Sequence, residues 1–433
     1  MSEGTQDMES GFDRRDVTAA LPSGHVWKRV LSAGFMVGAL ALVSVGLAPA
    51  ALADDVRSKQ WYLDAMSAQD LWKSSTGKGI KVAVVDTGVS ATPSLQSKVQ
   101  PGVDVTRLKG DATDDYEGHG TTMAELIAGS GRGGGLKGLA PDTEIIPIRL
   151  TLGQASKKSP DDSPAAIRAA ADSDAQILSM SFGSDFSSPE EKAAVKYAES
   201  KGKLMFAGVG NDAERKNFIG YPAAYPGVVG VSAADETGKV AKGSEFGQYV
   251  DLAAPGLNIP HWCDATFRSY CDEGGGGTSS ATAIASASAA LIWSKHPDWT
   301  ANQVLRVLID TAGRDWPRDK PSDYLGYGLV RPAQNLLKDK GEPGPTDIDP
   351  VTNKKTAVSD SDDDGTTAPS ASASAESTQP SRKGTSGDQQ AAAEAKSSDD
   401  DGDNQLWLVL GGIAAVAVIG GGAFAAVRAR RSA

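Results

Sequence analysis

The 433-residue chain holds only two cysteines and four histidines, and this shortage removes most metal and redox chemistry at the outset. No H-E-x-x-H helix is present and only one histidine stands where a ligand would, so zinc hydrolysis is excluded. There is no C-x-x-C pair for thiol exchange. A basic stripe is missing as well: the net charge is −12 and no lysine- and arginine-rich face marks the part expected to fold, so nucleic acid is not an expected partner. Asp-Thr-Gly occurs once, at Asp86 to Gly88, whereas an aspartic protease needs two carboxylates sharing a proton in a mostly β fold. Internal repeats are absent.

Both ends differ from the middle. Val30 to Leu47 is an apolar run behind Lys28 and Arg29, followed by the small residues Ala51-Leu52-Ala53, so residues 1–53 are expected to be a secretory signal. The alternative is a retained membrane anchor. Residues 341–404 are rich in Ser, Ala, Asp, Thr and Pro and short of large apolar side chains, which predicts a disordered tether. Asp360 to Gly365 starts like a calcium-binding EF-hand loop, but Ala371 occupies the twelfth position, where a bidentate Glu is required. Leu406 to Val427 is apolar throughout and, at 1.5 Å per residue, reaches about 33 Å, enough to cross a hydrocarbon core. A transmembrane helix is therefore expected over 405–427. Arg428, Arg430 and Arg431 would keep the tail, 428–433, in the cytoplasm and put everything before the span outside.

That leaves residues 54–340 to fold. Strand-length apolar runs such as "GIKVAVV", "TEIIPIRL", "AQILSMSF", "KLMFAG" and "GVVGVSA" alternate there with helix-period segments, which predicts an α/β fold with a mostly parallel sheet. Ser188 with Glu191, and Thr300 with Gln303, have the spacing of helix-capping boxes. In such sheets binding and catalysis gather at the carboxyl ends of strands, and Asp86 and Asn211 each follow a strand. Cys263 and Cys271 lie close together in a segment expected to be exported. A disulfide is expected, stabilising by about 2.5 kcal/mol on a loop-entropy estimate. Two free thiols are the alternative.

A serine becomes a nucleophile when a histidine, oriented by a carboxylate, takes its proton. Of the four histidines, His25 falls in the signal, His296 in a turn and His261 in the loop holding the cysteines. His119 remains, flanked by glycines at the start of a helix in "EGHGTTMAELIAG". Six blocks in one order, "VAVVDTGV", "GHGTTMAELIAG", "SMSFG", "FAGVGN", "LAAPG" and "GGTSSATA", resemble the subtilisin-type serine proteases, or subtilases, across nearly all of Gln60 to Lys338. The resemblance implies a three-layer sandwich and a triad in the chain order Asp86, His119, Ser279. It also implies an oxyanion donor at Asn211 and a substrate-pairing segment at Ser181, Phe182 and Gly183. Gly134 matches the loop leading to a second substrate strand. Thr278 and Ser280 are neighbouring hydroxyls, and only the match to "GTS" selects Ser279 between the two serines.

The chain departs from the usual family pattern in two places. Ser280-Ala281-Thr282-Ala283 lacks the proline that usually follows the serine block, and the interval from Ala53 to Gln60 is too short for a folded pro-domain. With a signal, a tether and a membrane helix, this architecture is similar to the mycosin subgroup associated with type VII secretion. The expected function is thus a plasma-membrane-anchored serine endopeptidase acting outside the cell on exported proteins or peptides, with secretion-complex components as further partners. A structural subunit with a little-used site is the alternative. No cofactor is evident; calcium enters through the family resemblance alone.

Overall fold

The computed structural model describes residues 53–153, 161–272 and 274–356. The expected signal up to Leu52, the membrane span at 405–427 and the tail lie outside them, as does the rejected EF-hand segment. Among the described residues no helix is long and apolar enough to cross a membrane.

Three short helices open the fold: α1 (Ala53–Ser58), α2 (Trp61–Ala65) and α3 (Ala68–Ser74). The alternation then begins with β1 (Lys81–Asp86), β2 (Val103–Asp104), α4 (His119–Ala128) and β3 (Glu144–Arg149). It continues with α5 (Ser163–Asp172), β4 (Ile177–Met180), α6 (Pro189–Ser200), β5 (Leu204–Gly208), β6 (Val228–Ala234) and β7 (Leu252–Pro255). A two-residue hairpin, β8 (His261–Trp262) and β9 (Tyr270–Cys271), precedes α7 (Thr278–Lys295), α8 (Ala301–Thr311) and α9 (Pro332–Leu336). Strands β1 to β7 form one parallel sheet in the order β2-β3-β1-β4-β5-β6-β7. The chain starts in the middle at β1, builds outward one way to β3 and β2, then returns to lay β4 on the other side of β1. The carboxyl ends of β1 and β4 therefore flank the switch point where such sheets hold their sites.

Side chains alternate across the sheet with period two. Val82 and Val84 enter one core with Phe206, Val231 and the residues of α7, while Ala83 and Val85 enter the other with Ile148, Met180 and Met205 beneath α5 and α6. This is the expected three-layer arrangement. Helix α7 is buried nearly all round, which suits its run of alanines in the middle of a core. Two of its hydroxyls are satisfied inside the helix: Thr282 donates to the Thr278 carbonyl (2.7 Å) and Ser288 to that of Ile284 (2.8 Å). Both expected caps form. Ser188 Oγ accepts from the Glu191 N–H at 3.2 Å, and Gln303 Oε1 from the Thr300 N–H at 3.0 Å.

One boundary needs correction. The tether was expected from Gly341, but residues 341–356 pack along α8. The Gly344 carbonyl accepts from Gln303 Nε2 (3.0 Å), that of Thr346 from Asn302 Nδ2 (3.0 Å) and that of Ile348 from Arg306 Nη2 (2.9 Å). Asp349 and Thr356 are buried. A composition argument weighs apolar side chains, whereas backbone carbonyls hold this segment.

Candidate active site

Asp86 ends β1 and is fully buried, and His119 is the first residue of α4. Their side chains meet with His119 Nδ1 2.7 Å from Asp86 Oδ1, an oxygen that also accepts the Thr87 N–H at 2.7 Å. The local fold makes this pairing obligatory through residues that sequence reasoning missed. Thr87 Oγ1 donates to Asp115 Oδ1 (2.7 Å) and accepts from the Gly120 N–H (3.0 Å), pinning the end of β1 to the start of α4. The buried Asp115 carboxylate also accepts from the N–H groups of Glu117 (3.0 Å), Gly118 (2.8 Å) and Thr121 (2.8 Å), so it caps a helix whose own N-cap, Gly118, has no side chain. Its signal was in the sequence: an acidic residue four positions ahead of a glycine-flanked histidine at a helix start.

Burial opposes a charge on His119. The Asp86 carboxylate, through its charge and its hydrogen bond, outweighs that, and the charges of Asp115 and Glu117 add to it, raising the imidazole to about 9. As 35% of the side chain stays exposed, a substrate can reach the ring. A general base must be neutral to accept a proton, so kcat/KM should rise with pH through an ionisation near 9 instead of levelling above the ordinary histidine value near 6.5. Glu117→Gln removes one of the charges holding the proton on and should move that limb to lower pH by roughly half a unit. A pH profile of both proteins checks the shift and its sign.

Ser279 is the second residue of α7 and is partly exposed. Two contacts fix its surroundings at the switch point. Ser181, immediately after β4, donates from Oγ to the Ser279 carbonyl at 3.4 Å, and Asn211, three residues past β5, accepts the Thr278 N–H on Oδ1 at 3.0 Å. Gly277 is needed for this approach: its φ of 145° disfavours a side chain, and a Cβ there would stand 2.7 Å from Asn211 Oδ1. With Oδ1 committed to Thr278, Asn211 Nδ2 is left as a donor beside the first turn of α7. Among the described residues no hydrogen bond links Ser279 to His119. Such contacts are often long in substrate-free enzymes and tighten when substrate binds.

Phe182 and Gly183 make no backbone hydrogen bond among the described residues, leaving their main chain open to pair with an extended peptide. Beyond them Ser184 pairs with Tyr221, each N–H donating to the other's carbonyl (2.8 and 2.9 Å). Gly134 sits in the turn Arg132–Gly134, which packs against α1, with no hydrogen bond to the Ser181–Gly183 segment among the described residues.

Cys263 and Cys271 are joined in a disulfide, which closes the β8–β9 hairpin. That hairpin is fastened to the histidine helix: Thr122 Oγ1 accepts from the Trp262 N–H (3.0 Å), and Glu125 accepts from Tyr270 Oη (2.6 Å) and Thr92 Oγ1 (2.6 Å). Burial pushes the Glu125 carboxyl up to about 7. Pairing over this distance along the chain left no local sequence signal. Calcium, implied by the family resemblance, has no seat made of three Asp, Glu, His or Cys side chains among the described residues.

Residues 77–328, more than half of the chain, match the profile of the peptidase S8 subtilase family. The chain is 33% identical over 280 residues to the minor extracellular protease Epr of Bacillus subtilis (strain 168), a match covering 63% of this chain and 41% of that protein, so it spans under half of that relative's length. Among solved structures, MycP1 from Mycobacterium smegmatis superposes with a TM-score of 0.56 at 26% identity, over 66% of this chain and 86% of that one. The MycP3 protease of the type VII (ESX-3) secretion system superposes with a TM-score of 0.54 at 30% identity, over 64% and 87%. The family match covers the strands that lead into Asp86, Ser181 and Asn211, mycosins are among the structural neighbours, and the chain belongs to the subtilase family.

Proposed function

We propose that the chain is a membrane-anchored, extracytoplasmic serine endopeptidase that cuts exported proteins through an Asp86, His119, Ser279 triad. The observation that carries this reading is the 2.7 Å Asp86–His119 pair at the sheet's switch point, with the helix bearing Ser279 tied to the same strand ends by Ser181 and Asn211.

In this mechanism a peptide pairs with Phe182 and Gly183 and presents its carbonyl to Ser279 Oγ. His119 Nε2 takes the hydroxyl proton as the C–O bond forms, while Asp86 holds Nδ1–H and stabilises the imidazolium. Charge developing on the carbonyl oxygen is met by Asn211 Nδ2 and the unpaired N–H groups opening α7. His119 returns its proton to the departing amine, leaving an acyl-enzyme that water hydrolyses by the same steps. Asn211→Ala should lower kcat by about 10²- to 10³-fold with little change in KM, because the donor acts only as the oxyanion forms. Steady-state kinetics on a quenched peptide check it. Inhibition of the wild type by a fluorophosphonate tests the reading as a whole: a folded, unreactive protein contradicts it.

The mycosin likeness supports a place beside a type VII secretion apparatus, and MycP3 is described as part of such a system. It also favours the second reading, a structural subunit with a little-used site. Normal secretion with Ser279→Ala, but none after deletion of the whole chain, would assign the biology to that second role.

A further inference from the structure

Glu245 lies in the loop between β6 and β7 and is only 5% exposed. Its N–H donates to the Gly210 carbonyl at 3.0 Å, and Gly210 is the residue before Asn211. The side chain lies along Gly210: a Cβ at that position would collide with Glu245 Oε2, and one at Gly220 would stand 3.5 Å from the same oxygen. Gly220 adjoins Tyr221, which pairs with Ser184 at the end of the open Ser181–Gly183 segment. The carboxylate thus lies against Gly210 and Gly220, one residue from Asn211 on one side and one residue from the Tyr221 that holds the end of the open segment on the other.

This carboxylate lacks a cation. No lysine or arginine among the described residues forms an ion pair with it, and its one partner is the Phe218 N–H. Burial, then the charges of Asp185 and Asp212, push its carboxyl up. Among the described residues Asp212 is paired with Arg215, and both are exposed. A buried charge without a partner is costly, and one that a visiting cation would complete is favourable. No three acidic, histidine or cysteine side chains among the described residues converge enough to seat a metal ion, so the cation that fits is carried on an extended stem.

We propose that Glu245 is a specificity-determining residue that selects lysine or arginine at the substrate position on the acyl side of the scissile bond. Resting on the serine-peptidase reading above, the assignment names its substrate class. The stem runs past Gly210 and Asn211, and the ammonium or guanidinium meets the Glu245 carboxylate, arginine in a forked pair.

The test is a set of peptides differing only at that position, carrying Arg, Lys, Gln, Met or Glu, hydrolysed by the full chain in detergent with EDTA present. Arg and Lys should exceed Gln and Met in kcat/KM by about 10- to 100-fold, with Glu slowest. Glu245→Gln, its folding checked by thermal denaturation, should collapse the Arg-to-Met ratio by a similar factor. A flat wild-type profile, a preference for Gln, or an unchanged ratio in Glu245→Gln overturns the assignment. Fluorophosphonate labelling of the wild type separates the two ideas. A labelled enzyme with a flat profile keeps the peptidase reading and loses this one, whereas a protein that is neither labelled nor active loses both.

Discussion

Ser279→Ala is expected to lower kcat by about 10⁶-fold, the loss that removing the serine of such a triad causes in subtilisin. The size follows from what the residue does. His119 and Asn211 stay in place in the variant, since Asn211 is held by the Thr278 N–H and His119 by Asp86, neither of which involves Ser279 Oγ. What disappears is the only group that can form the acyl-enzyme, and the remaining oxyanion donors supply a residual rate above that of water alone. Stability should barely change, because Ser279 is partly exposed and the removed oxygen makes no hydrogen bond among the described residues. Initial rates with a quenched peptide, beside a melting curve, measure both. A variant retaining more than a thousandth of wild-type kcat would mean that a neighbouring hydroxyl, Thr278 or Ser280, does the work.

Asp86→Asn should cost about 10⁴-fold in kcat while leaving the fold intact. The replacement has the same shape and can keep the Thr87 N–H bond through its amide oxygen. Oδ1 faces both the Thr87 N–H and His119 Nδ1: an amide oxygen in its place keeps both bonds but carries no charge to stabilise the imidazolium, whereas an amide NH₂ there sets a donor against the Thr87 N–H and favours the tautomer protonated on Nε2, which cannot accept a proton from serine. The pH dependence should change with it. Burial alone drives the imidazole below its ordinary value, and Asp86 is the largest of the influences that raise it to about 9, so removing that carboxylate must move the remaining ionisation down. A profile of the residual activity against pH reads the direction. An Asp86→Asn enzyme with near-normal kcat, or with its ionisation still near 9, would contradict the role assigned to this carboxylate.

The sequence made some of this site legible for definite physical reasons. The β1 run is buried on both faces and reads as an unbroken apolar strand, so Asp86 stands out at its end. His119 emerges because four histidines can be considered singly and three have other settings. Ser279 had no such local mark: three hydroxyls in a row open α7, and only resemblance chose among them. Thr87 escaped because it acts through contacts between segments about thirty residues apart, which no periodicity records, whereas Asp115 caps α4 from close by and its mark is the acidic residue just ahead of a glycine-flanked histidine. Glu125 and Tyr270 are 145 positions apart and meet only once the hairpin folds over α4. The same limit explains residues 341–356, whose polar composition reads as tether while their carbonyls satisfy the side chains of α8. Layers and sheet direction were readable because they depend on patterning; caps, cross-braces and the surroundings of Glu245 depend on which distant segments come together.

The most direct test of the central claim is to react the full-length protein with a fluorophosphonate, digest it and locate the adduct by tandem mass spectrometry. One phosphonate per chain on Ser279, lost in Ser279→Ala and strongly slowed in Asp86→Asn, is the predicted result. An adduct on Thr278 or Ser280, or a folded protein that takes up no label between pH 7 and 10, would contradict the account.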